Sequence, residues 1–375
     1  LRVLILNWRD PWHPRAGGAE LVTLRVAERL ARSGWDVEWF SAAYPGCSTG
    51  EIRHGIRFVR AGSQLTVHLR AAARYRGTRR FDIVVDEINT IPFYAHRYVA
   101  VPTVAYVNQL AGDVWRYEAP ALLGSLGMLA EPLYLRPYRD VPVISISKSS
   151  VETMRAIGLC GPMHVVAMSV DEEADDAVPE KSLPRDIVVL GRVTPSKRIE
   201  HAIDAAQALR AGGWAGNLLI VGSGDARYTA KLERYARERL GERVQFMGRV
   251  TNEARTRVLR TASCLWMTSV REGWGLAVTE AARHGTPAVV YAVPGLVDSV
   301  SDGKTGYVVE QRPAALAAAT AKLFADSFAA FSAAALEGSR NLDWDGTARH
   351  FEEVLRERLG ARANAASENI ALAAR

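Results

Sequence analysis

The 375 residues are 48% apolar and 23% charged, the balance of a globular protein too long for one ordinary core, so two domains are expected. The net charge of +6 is carried mostly by arginine in an alanine-rich chain, which fits a GC-rich bacterial coding sequence better than a nucleic-acid binder. Three scattered cysteines (Cys47, Cys160, Cys264) and eight dispersed histidines exclude a disulfide framework, offer no metal-ligand spacing, and point to a reducing cytoplasm.

The chain opens with an apolar strand, Arg2–Trp8, followed by a Pro-containing loop and Gly17-Gly18-Ala19-Glu20. An amphipathic helix follows, with Leu24, Ala27, Leu30 and Ala31 on one face, and closes at Gly34. Further strands are expected at Asp36–Ser41, Ile56–Arg60, Asp82–Asp86, Thr103–Val107 and Val141–Ser147, with helical stretches between several of them. The opening LRVLILNW is too short for a secretory signal. The most apolar stretch, Ala119–Leu135, is broken by Glu131 and Pro132, and is not expected to span a membrane.

An acidic, proline-ended segment, 171–184, reads as a linker. The pattern then restarts: strand Asp186–Leu190, a loop from Gly191, a helix with Ile199, Ala202, Ile203, Ala206 and Leu209 on one face, then strands at Asn217–Val221, Val244–Met247, Cys264–Met267, Pro287–Tyr291 and Gly306–Val309. Two successive βα arrays predict two Rossmann-like, doubly wound α/β domains facing across a cleft at the carboxyl ends of their strands. The expected organisation is an N-terminal domain over 1–170, a linker over 171–184, a C-terminal domain over 185–343, a helix over 344–360 packing back towards the N-terminal domain, and a frayed tail over 361–375.

Chemistry concentrates at the strand-to-helix loops. Gly17 and Gly18 let the backbone approach a ligand at a helix N-terminus, or simply make a turn. Gly191-Arg192-Val193-Thr194-Pro195-Ser196-Lys197 sets two cations where open α/β sheets bind ligands, and a diphosphate leaving group needs such charge. Glu272-Gly273-Trp274-Gly275-Leu276 opens another helix, with Glu280 more than a turn inside it, so two carboxylates can accept hydroxyl hydrogen bonds at separate points of one extended ligand. The bland alternative is that Glu272 caps the helix and Glu280 faces solvent. Gly222-Ser223-Gly224 ends a further strand and by itself resembles many turns. The arginine cluster Arg70, Arg74, Arg76, Arg79 and Arg80 is either a solvated helix face or a surface for anionic lipid or a phosphorylated acceptor.

Together these pieces resemble the family-4 glycosyltransferases, retaining enzymes of the GT-B fold: GGAE, GR-x4-K (Gly191, Arg192, Lys197), E-x7-E (Glu272 to Glu280), Gly285-Thr286-Pro287 and Asp302-Gly303-Lys304-Thr305-Gly306, in that order. The resemblance implies that Arg192 and Lys197 hold the diphosphate of a nucleotide-sugar. Glu272 with Gly273, Trp274, Gly275 and Leu276 would hold the transferred sugar, Glu280 the ribose, and Gly222, Gly224, Arg249 and Val250 the base. Gly17 and Gly18 would lie beside the donor phosphate, with Glu20, His13 and Gln109 on the acceptor side. It also implies work without a metal or other cofactor, and the one Asp-x-Asp, Asp343 and Asp345, is expected to cap the last helix instead.

Two positions depart from the family pattern. Asn108-Gln109 stands where many relatives carry a histidine that meets the donor sugar, and Pro294-Gly295-Leu296-Val297-Asp298 where many have Gly-Gly and a nearby glutamate. The expected reaction is hexosyl transfer with retention, with a UDP-sugar as donor and a small-molecule or lipid-linked acceptor. A catalytically impaired nucleotide-sugar-binding protein and a GT-B epimerase are the alternatives. A nucleic-acid partner is not expected; for the arginine cluster, peripheral membrane contact stands as the alternative to a solvated helix face.

Overall fold

The computed structural model describes residues 1–325 and 328–373; residues 374–375, the end of the expected tail, lie outside them. The chain forms two compact units, one of 1–110, 130–168 and 343–375, the other of 111–129 and 169–342.

The first unit is built on an eight-stranded sheet: β1 (Arg2–Leu6), β2 (Asp36–Ser41), β3 (Gly50–Arg53), β4 (Ile56–Arg60), β5 (Ile83–Glu87), β6 (Thr103–Tyr106), β7 (Val143–Ser145) and β8 (Met163–Val165), in the order β3-β4-β2-β1-β5-β6-β7-β8. All neighbours run parallel except the edge pair β3–β4. The inner strands are continuous apolar runs because helices cover both faces; Leu4, Val84, Val104 and Ile144 are fully buried. Strand β3 escapes the sequence reading because it is short, charged and at the edge, with Ile52 largely exposed. The helix Gly18–Arg32 packs against the C-terminal helix Trp344–Ala373. Arg29 pairs with Asp345 at 2.5 Å, and Trp35 Nε1 and Ser33 Oγ donate to Glu352 at 3.0 and 3.2 Å. Asp343 caps that last helix through the Gly346 amide at 2.6 Å.

The second unit has a six-stranded, all-parallel sheet in the order β11-β10-β9-β12-β13-β14: β9 (Ile187–Leu190), β10 (Leu218–Val221), β11 (Val244–Gly248), β12 (Cys264–Met267), β13 (Ala288–Tyr291) and β14 (Gly306–Val309). Its core joins Val188, Ile220, Leu265, Trp266 and Val289 to Ile199, Ile203 and Leu209 of the helix Ile199–Ala211. The acidic segment 171–184 lies on this unit. There Lys181 Nζ donates to the carbonyls of His284 and Arg260 and to Thr286 Oγ1, at 2.7, 3.0 and 2.7 Å. The strand order changes direction at β9, between β10 and β12, and the loops leaving β9 and β12 therefore meet at the carboxyl edge of the sheet.

Candidate active site

In the second unit the loop after β9 carries Gly191 and Arg192, then one turn of 3-10 helix, Pro195–Lys197. The loop after β10 crosses it closely. A Cβ on Gly222 would stand 1.8 Å from the Gly191 carbonyl oxygen, so only glycine fits there. Gly222 also donates its amide to the Gly248 carbonyl at 2.8 Å, which brings the loop after β10 against the residue preceding Arg249 and Val250.

Lys197 Nζ and Glu272 Oε1 form an ion pair, and Ser269 Oγ donates to the same carboxylate oxygen at 2.6 Å. Both partners keep some exposure, 20% and 16% of their side chains, so the pair sits at the wall of a recess and not in the core. That recess is lined by Gly191, Arg192, Lys197, Met267, Thr268 and Ser269. Arg192 is exposed; its carbonyl accepts from the Thr194 amide at 3.1 Å, while its guanidinium forms no hydrogen bond or ion pair among the described residues. Gly295 backs Glu272: a Cβ there would stand 2.2 Å from the Glu272 carbonyl oxygen, and its φ of +84° is left-handed. The Glu272 amide itself donates to the Pro294 carbonyl at 3.2 Å.

Gly275, with a φ of +97°, starts the helix Leu276–Ala282, and Trp274 Nε1 turns back to donate to Thr279 Oγ1 at 2.9 Å. Glu280 is half-buried, with Arg255 Nη1 3.6 Å from its carboxylate. Burial pushes its carboxyl above the usual carboxylate range against the attraction of Arg255, and Asp171 adds to the rise. It therefore does not stand free in solvent.

In the first unit, Gly17 is the extended residue before the helix Gly18–Arg32, and its amide donates to Glu20 Oε2 at 2.7 Å. Glu20 is fully buried and also takes Asn89 Nδ2 at 3.2 Å and pairs with Arg9 at 2.8 Å. Its carboxylate is thus occupied in fixing the glycine loop. Glu87, at the end of β5, accepts from Thr23 Oγ1 at 2.9 Å; burial, reinforced by the neighbouring Glu20, pushes its carboxyl up to about 8. His13 packs edge-on to Trp8 and Tyr44, and burial first, then Arg15 and Arg9, lowers its pKa. Asn108 follows β6 and is only 8% exposed, and neither its Oδ1 nor its Nδ2 has a hydrogen-bond partner among the described residues. Gln109 Oε1 is likewise buried and unpaired. Arg198 and Asn89 were not legible as site residues, because each acts through contacts between loops distant in sequence.

Comparison with solved structures shows the GT-B fold. A sucrose-phosphate synthase from Thermosynechococcus elongatus superposes with a TM-score of 0.76 at 19% identity, covering 96% of this chain and 99% of that one. Anabaena HepE, in a complex with UDP and glucose, superposes with a TM-score of 0.67 at 17% identity, covering 94% and 99%. In sequence, residues 16–174 match Glycosyltransferase Family 4 and residues 170–337 match Glycosyl transferases group 1. A D-inositol 3-phosphate glycosyltransferase of Salinispora tropica is 30% identical over 395 residues, 91% of this chain and 81% of the relative. Another match is partial: the chain spans 37% of the corresponding Mycobacteroides abscessus enzyme, at 33% identity over 43% of this chain. The chain belongs to the family-4 glycosyltransferases, as its motifs led us to expect.

Proposed function

We propose that this chain transfers a hexose from a UDP-sugar to an acceptor hydroxyl with retention of the anomeric configuration. The observation that carries the reading is the Lys197–Glu272 ion pair beside a recess at the carboxyl edge of the second sheet that Lys197 and Arg192 line. Two cations suit a diphosphate, and a carboxylate anchored by Ser269 suits sugar hydroxyls. The UDP preference is supported by Anabaena HepE, which binds UDP and glucose. In the reaction the acceptor oxygen bonds to the anomeric carbon as the bond from that carbon to the phosphate oxygen breaks. The departing phosphate oxygen takes the acceptor's proton, so no side-chain nucleophile is needed. Arg192 and Lys197 would balance the developing charge in place of a divalent ion, each worth about 3 kcal/mol if well placed.

The test is release of nucleotide diphosphate from a panel of nucleotide sugars, with and without excess chelator. Turnover on UDP-sugars that survives chelation is the expected result. A thermal shift with UDP larger than with GDP should accompany it. Equal and negligible shifts at millimolar nucleotide would remove the donor assignment. Binding of UDP without release from any UDP-sugar would favour the impaired-binder reading, for which asparagine at 108 in place of the relatives' histidine is the one support.

For the acceptor side we propose peripheral contact with an anionic membrane surface, from which a lipid-linked acceptor would be drawn. Residues 52–81 contain no acidic side chain. Within this stretch Arg80 pairs with Glu38 at 3.2 Å, while Arg70, Arg74, Arg76 and Arg79 are exposed and form no ion pair among the described residues. On and beside the helix Val67–Tyr75, Leu65 and Leu69 are 88% and 73% exposed, an apolar row next to the cationic one. Among the described residues no single helix is long and apolar enough to cross a membrane.

A further inference from the structure

We infer that Arg198 is a positioning residue for the donor site, a role that rests on the reading of Lys197 and Glu272 as donor-binding groups. Arg198 follows Lys197 directly, and its backbone is left-handed, with a φ of +47°. A non-glycine residue pays a steric penalty in that region and persists there only where its surroundings hold it. What holds this one is its own side chain. The guanidinium is buried and donates to three acceptors: the Thr268 carbonyl at 2.8 Å, the Ser269 carbonyl at 2.9 Å and Gln311 Oε1 at 3.0 Å. It also lies 4.9 Å from the centroid of the Tyr291 ring.

These contacts tie together the chain segments that follow β9, β12 and β14, with the last residue of β13 as their floor. The same segments carry the site. Thr268 donates its hydroxyl to the Lys197 carbonyl at 2.7 Å, the Val270 amide donates to the Ser196 carbonyl at 2.9 Å, and Ser269 holds Glu272. The Thr268–Lys197 and Val270–Ser196 bonds between the two loops therefore each start within one residue of a carbonyl that Arg198 grips. Two backbone carbonyls and Gln311 Oε1 hold the guanidinium, with the charge of Glu200 nearby. Arg198 acts on the donor through Lys197 and Glu272, and is not itself among the residues lining the recess beside Lys197.

The experiment compares Arg198→Gly with Arg198→Lys, using UDP release from UDP-glucose and calorimetric binding of UDP. Glycine accepts the left-handed backbone without strain, so it separates the conformation from the guanidinium. Arg198→Gly is expected to bind UDP about 10-fold more weakly and to turn over about 10- to 100-fold more slowly, with partial recovery in millimolar guanidinium. Arg198→Lys, which keeps a cation but not the three-way fork, should recover less than half of the loss. Turnover of Arg198→Gly within twofold of the parent would overturn the inference, since the backbone turn alone would then suffice. If the glycine variant does not fold, an Arg198→Lys enzyme with parental turnover and UDP affinity would overturn it equally. Lys197→Ala is the control for the underlying reading: an unaffected Lys197→Ala removes the donor site itself, whereas an inactive Lys197→Ala beside a fully active Arg198→Gly removes only the positioning role.

Discussion

Lys197 and Glu272 lie 75 residues apart in the chain and form an ion pair at the carboxyl edge of the second sheet, where Ser269 shares the carboxylate. An unlike pair held this way keeps both charges in place before a ligand arrives. A diphosphate can compete for the ammonium while sugar hydroxyls take up the carboxylate.

Lys197→Ala and Arg192→Ala are each expected to lower turnover by about 100-fold or more, as loss of a preorganised charge donor does. The fold should persist, because Arg192 is exposed and Glu272 retains the Ser269 hydrogen bond when Lys197 is removed. Steady-state UDP release together with thermal unfolding checks both halves. Parental turnover in either variant returns that residue to an ordinary surface cation.

Asn108→Ala separates ligand contact from packing. Since both polar atoms of the buried amide lack partners, their removal should leave the melting temperature unchanged or slightly raised. Transfer should fall by about 10-fold or more with UDP affinity nearly intact, given ~1–3 kcal/mol for a hydrogen bond lost in a site. A marked drop in stability with unchanged transfer would show that the amide serves packing instead.

Glu87 predicts a pH signature. Its folded pKa of about 8 lies above the ordinary glutamate value of 4.5, so the folded protein holds a proton that the unfolded chain has released. Its contribution to stability is therefore fully present below about pH 4.5 and is lost as pH rises through about 8. Glu87→Gln stays neutral, and its melting temperature should exceed the parent's by more at pH 8 than at pH 5. Thermal unfolding at the two pH values decides; parallel curves would mean that the carboxyl titrates normally.

Leu65→Glu with Leu69→Glu should abolish co-sedimentation with phosphatidylglycerol vesicles while leaving UDP release unchanged. Both side chains are exposed and belong to no part of the donor site. Failure of the parent to bind such vesicles, or equal binding by the leucine variant, would count against an apolar contact at this helix.

Local patterning was enough to anticipate the two sheets, because strands buried on both faces read as apolar runs; Asp36–Ser41, Ile56–Arg60, Cys264–Met267 and Gly306–Val309 have the expected bounds. The strand-to-helix loops with Gly191, Lys197 and Glu272 were legible too, since glycine and charge at a strand's carboxyl end are local signals. What tertiary structure alone decided is how those loops are held. Glu20 looks like any helix-start glutamate in sequence, yet it is enclosed by Arg9, Asn89 and the Gly17 amide. Arg198 reads as one more arginine in an arginine-rich chain, yet its guanidinium grips the Thr268 and Ser269 carbonyls. Glu280 has the spacing of a free ligand group but stands against Arg255. A hydrogen bond between loops separated by 70 residues leaves no periodicity in the sequence, because its donor and acceptor are brought together only by the register of the strands beneath them.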